Sequence, residues 1–145
     1  MRGTPSLIIV APVIAGLSVV GAVLSIGARW PHQFGGHGDR DHMLADFASS
    51  GTALAPPLAF LVLLVVAALV IRRRGAWGTI ARFVLVGLSA LMIVASLGEA
   101  FAGPTPDVPR AVQVFSGVWG TVAGGLLMVL CIRSIITGRR VRESL

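Results

Sequence analysis

Apolar residues fall into four long runs along the chain, separated by short polar stretches. Residues 7–28, 53–71 and 111–132 hold no charged side chain, and residues 83–102 hold one, Glu99. Each run is about 20 residues long. At a rise of about 1.5 Å per residue, that length lets a helix cross a hydrocarbon core of about 30 Å. The pattern predicts an all-α integral membrane protein, with four transmembrane helices forming an up-down bundle in a single domain over residues 1–145. Residues 29–52 form an outward polar loop, and residues 133–145 form a basic cytoplasmic tail.

Arginine placement predicts the orientation, because cytoplasmic segments carry the excess of basic residues. Arg2, the connection bearing Arg72, Arg73, Arg74 and Arg82, and the tail bearing Arg133, Arg139, Arg140 and Arg142 all fall on one side. The other side has Arg29, Arg40 and Arg110, offset by Asp39, Asp41, Asp46 and Asp107. Both termini are therefore expected to be cytoplasmic. The competing reading is a cleaved signal peptide in the first run, but its apolar core is longer than the usual 7–15 residues or so.

Composition narrows the chemistry. Charged residues make up 12% of the chain, against about a quarter in soluble domains. All 12 basic side chains are arginines, which excludes a phosphate-loop lysine, a Schiff-base lysine and a lysine general base. A single cysteine, Cys131, makes no intrachain disulfide. The arginine-only, Ala/Gly/Val-rich composition points to a GC-rich bacterial genome, and so to a bacterial plasma membrane.

Helices in lipid associate where small residues let backbones approach. The fourth run has two such stripes at four-residue spacing, Ser116–Gly120–Gly124 and Gly117–Thr121–Gly125. Either they close the bundle within the chain, or they face a second copy or a larger membrane complex. Pro56 and Pro57 are expected in the first turns of the second span, where missing amide hydrogens do little harm. Asp107 is the candidate N-cap of the fourth.

All three histidines, His32, His37 and His42, lie in the outward loop with Asp39 and Asp41. Imidazole and carboxylate suit transition metals, so these five are candidate metal ligands. Their spacing of five and five matches no helical or finger-type site, and a solvated polar loop is the simpler expectation. Asp41–Phe47 resumes a helical pattern, predicting a short amphipathic helix on the outer surface.

Glu99 is the one acid within a span, and intramembrane acids are functional candidates. Counting from Phe83 places it roughly 24 Å across, near the outer boundary, with Arg110 or Arg29 as expected partners. With no histidine inside a span, haem ligation between helices is not expected. Cys131 lies across the membrane from every histidine, so no thiol–histidine pair forms and no enzyme activity or cofactor is expected.

Two functions follow as expectations. The first is an accessory or structural subunit that packs against itself or a larger complex. The alternative is a transporter or ligand-handling protein binding a cation or proton through Glu99, Arg110 and the His/Asp loop. The partners expected are the bilayer, with anionic lipid at the cytoplasmic arginines, and not nucleic acid.

Overall fold

The computed structural model describes residues 4–31, 41–73, 75–101 and 107–143. Among these the fold is all helical, with α1 over Thr4–Ala28, α2 over Met43–Ser49, α3 over Leu58–Val70, α4 over Ala76–Phe101 and α5 over Arg110–Glu143. Three helices, α1, α4 and α5, have stretches long and apolar enough to cross a membrane. Ile9, Val23, Phe83, Val94 and Val122 all stand more than half exposed on their outer faces. An apolar surface spread over every long helix is a surface made for lipid, as few soluble proteins expose so much.

The expected second span departs from the prediction. Its helix begins at Leu58, not near residue 53, and Pro57 occupies the N-cap position. The cause is local. A residue that precedes proline is disfavoured in the helical region, and both Ala55 and Pro56 precede prolines. The resulting helix of 13 residues is about 20 Å long, short of a bilayer's hydrocarbon core. Residues 51–57 instead form a compact non-helical segment, in which Gly51, Thr52, Ala53 and Ala55 are buried.

That segment accounts for its own backbone, as buried polar groups must. Gly51 turns the chain at φ +93°, donating to Asp46 O at 2.7 Å. Thr52 and Ala55 exchange hydrogen bonds of 2.8 and 3.3 Å, and Ala53 N donates to Trp30 O at 3.4 Å. The two prolines have no amide hydrogen to satisfy. The turn sits directly on α1 because Gly21 has no side chain: a Cβ there would lie 2.8 Å from Leu54 O.

Helices α4 and α5 pack antiparallel along their length. The seam follows a three-four alternation: Arg82, Leu85, Ser89, Met92, Ser96 and Glu99 on α4, and Gln113, Gly117, Gly120, Gly124, Leu127, Cys131 and Ser134 on α5. This is the spacing of coiled-coil packing. Gly117 meets Ser96 and Ala100, Gly120 meets Ser96, and Gly124 meets Ser89 and Ile93. The glycines let the backbones approach so closely that a Cβ at Gly117 would lie 2.8 Å from Ser96 O.

Helix α3 packs between α1 and α4, with Leu64, Ala67, Ala68 and Ile71 joining Leu7, Ala11 and Ile14 in one core. Helix α1 runs unbroken through Pro12, and its end is capped by Arg29 at φ +55°. Two more expectations are corrected. Arg82 lies in the second turn of α4, not in the connection before it, since a helix need not stop where hydropathy falls. Pro109, not Asp107, precedes α5, its carbonyl accepting from Val112 at 2.9 Å and Gln113 at 3.2 Å.

Candidate functional site

At one end of the α4–α5 seam the helices part from α1 around a cavity of about 260 Å³. One wall is the non-helical segment, through Thr52, Leu54, Ala55, Pro56 and Pro57. The facing wall is Met92, Ala95, Ser96 and Glu99 from α4, with Ser116, Trp119 and Gly120 from α5. Ser18 of α1 and Phe60 of α3 complete it. Thr52 and residues 54–57 thus line the cavity with non-helical backbone.

The surface is chiefly apolar with a few polar groups directed together, the usual composition of a small-molecule site. Among the described residues Glu99 supplies the one carboxyl group on it, half-buried near the end of α4. Ser116 Oγ donates to Glu99 Oε2 at 3.0 Å. The Thr52 hydroxyl is buried with no hydrogen-bond partner among the described residues. Trp119 and Phe60 bring aromatic rings to the same cavity, each half-buried. A carboxylate with aromatic neighbours is the chemistry that recognises an organic cation, since ring faces and carboxylate oxygens are both electron-rich.

The expected partners of Glu99 are arranged differently. Arg110 stands at the same end, but its guanidinium donates to Ala100 O at 3.0 Å and to Gln113 Oε1 at 3.2 Å. Among the described residues no ion pair involves Glu99; its neighbour is the neutral Ser116. His42 and Asp41 are exposed just before α2. His32, His37 and Asp39 lie outside the described residues, and among those described no three His, Cys, Asp or Glu side chains gather to hold a metal ion.

Helix α2 begins two residues beyond the predicted Asp41–Phe47, at Met43, and its apolar residues divide: Leu44 is 73% exposed while Met43 is buried and Phe47 half-buried. The contact with α4 runs across both stripes of α5 and follows neither one alone. Gly117, Gly120 and Gly124 face α4, whereas Gly125 has open space around it. Ser116 reaches the cavity, and Thr121 Oγ1 returns to its own helix at Gly117 O, 2.7 Å away.

Arg72, Arg73 and Arg133 are exposed at the end opposite the cavity. Arg74 is outside the described residues, and Arg139, Arg140 and Arg142 continue the helical backbone of α5. Thr52, Ser96, Phe60 and Trp119 were not singled out by the sequence pattern. The paired prolines were the available signal, because they stop the second helix and leave its approach free to line a pocket. No protein-family model matches the chain, and no curated protein or solved structure matches it either.

Proposed function

We propose that the protein is a small ligand-handling or transport protein of the plasma membrane that takes an organic cation into the cavity beside Glu99. One observation carries this reading: an apolar cavity of about 260 Å³ with, among the described residues, a single carboxyl group and two aromatic side chains on its wall. In this reading the chain crosses the bilayer four times with both ends cytoplasmic. Helix α3 completes its crossing through residues 51–57, and the cavity opens toward the outer face. Arg72, Arg73 and Arg133, gathered at the opposite end, supply the basic bias for that orientation.

The accessory-subunit reading comes second. Its main support was the glycine stripe of α5, and Gly117, Gly120 and Gly124 are covered by α4 of the same chain. The test is a titration of the full chain in nanodiscs with benzyltrimethylammonium, an aromatic quaternary cation, and with benzenesulfonate, an anion of similar size. Saturable binding of the cation alone, weakened about tenfold or more in Glu99→Gln, is expected for a charge contact in a low-dielectric site. Equal binding of both ions, or an unchanged Glu99→Gln, defeats the proposal.

A further inference from the structure

The α4–α5 seam ends, opposite the cavity, in a layer that is also polar. Its three-four register sets Arg82 of α4 level with Ser134 of α5, as it sets Ser96 level with Gly120. Three helical hydroxyls return to their own backbone: Ser89 to Leu85 O at 2.7 Å, Thr121 to Gly117 O at 2.7 Å and Thr137 to Arg133 O at 2.9 Å. That back-bond is a common solution for a serine or threonine in a helix. Ser134, like Ser25 of α1, departs from it. Its side chain is 5% exposed, and its Oγ has no hydrogen-bond partner among the described residues. Arg82 Nε is likewise buried without a partner.

A guanidinium N–H only donates and a hydroxyl both donates and accepts, and neither group finds a partner among the described residues. A group bringing several acceptor oxygens and negative charge would satisfy both. The surroundings favour one anion in particular. Arg133 adjoins Ser134 in sequence, and Arg72 and Arg73 end α3 on the same side. Trp77, 67% exposed in the first turn of α4, is placed as a headgroup-level aromatic just before Arg82. The guanidinium fork matches phosphate geometry better than any other side chain.

We propose that Arg82 and Ser134 form a phosphoryl-binding site that holds the headgroup of an anionic lipid at the arginine-rich end of the α4–α5 seam. The site is separate from the cavity and does not depend on what the cavity binds. Unlike the exposed arginines around it, it recognises the phosphoryl group by directed hydrogen bonds from partly and fully buried donors.

The test is native mass spectrometry of the full chain released from micelles containing either phosphatidylglycerol or phosphatidylcholine, with inorganic phosphate added to detergent-solubilised protein in a third arm. One retained phosphatidylglycerol is expected. Losing a directed charge-assisted bond should weaken retention about tenfold in Arg82→Gln, severalfold in Ser134→Ala and less than about twofold in Arg133→Gln. Should inorganic phosphate bind with the same ranking of variants, the site stands and its source is the free ion. Ser134→Ala removes only a hydroxyl, so it carries the test if Arg82→Gln does not fold. Equal losses in Ser134→Ala and Arg133→Gln, or no preference for phosphatidylglycerol over phosphatidylcholine, would overturn the proposal.

Discussion

The two ends of the α4–α5 seam are both polar, yet they solve their polarity in opposite ways. At the cavity end Glu99 receives the Ser116 hydroxyl at 3.0 Å and Arg110 bonds to Gln113 and Ala100, so the charged groups have protein partners beside an open space. At the other end Arg82 Nε and Ser134 Oγ are buried without partners among the described residues. The middle between them is small or apolar, from Leu85 to Ser96 on α4 and from Gly120 to Cys131 on α5. Among the described residues the charged side chains of this close backbone seam lie only at its ends, while the serines within it are small. At the ends either space or an outside molecule can accommodate the charged groups.

The sharpest way to break the comparison is to open the seam. A Cβ at Gly120 runs into the Ser96 side chain, so Gly120→Leu must push α4 and α5 apart. Overpacking of this kind costs about 1–3 kcal/mol. Thermal unfolding in detergent should show a destabilised protein. Gly125→Leu, which meets open space, should stay within about 0.5 kcal/mol of the parent. Equal effects at the two glycines would mean that the stripe of α5 does not distinguish its faces as described.

A smaller change separates the cavity from the seam. In Gly21→Ala the new methyl would lie 2.8 Å from Leu54 O, so the turn of residues 52–55 must move off α1. A loss of about 1–2 kcal/mol is expected. Cation binding should weaken severalfold while phosphatidylglycerol retention is unchanged. Parallel losses at both ends would contradict their independence.

The last pair acts within the cavity. Glu99→Gln preserves an acceptor for Ser116, so stability should change by less than about 1 kcal/mol while cation affinity falls. Ser116→Ala removes one hydrogen bond to Glu99 and keeps the charge, with a stability change of about 1 kcal/mol and a modest shift in affinity. If Ser116→Ala weakened cation binding more than Glu99→Gln, orientation and not charge would dominate the site.

How much of this was legible beforehand varies by residue. The four apolar runs were plain, and so was the position of Glu99 near one end of its helix. Hydropathy could not separate a helix from an apolar non-helical segment, so residues 53–57 were read as helix. The Ala–Pro–Pro sequence already held the steric reason against it. Arg82 was read as loop because hydropathy begins at Phe83, while the helix, free to extend into polar surroundings, begins at Ala76. The partner of Glu99 depended on the register between α4 and α5. That register follows from where each glycine meets the opposite backbone, which one helix viewed alone does not reveal.

The central claim is that residues 51–57 and the end of the seam enclose a cavity whose charge preference comes from Glu99. Substituted-cysteine labelling tests it most directly, in a Cys131→Ala background that removes the only native thiol. Ala95→Cys places the thiol on the cavity wall, and Ala123→Cys places it in the buried core away from the cavity. The account predicts rapid reaction at position 95 with the cationic trimethylammonium-ethyl methanethiosulfonate. It predicts slow reaction with the anionic sulfonatoethyl reagent, and loss of that preference when Glu99→Gln is added. Labelling at 95 no faster than at 123, or a charge preference that survives Glu99→Gln, would contradict it.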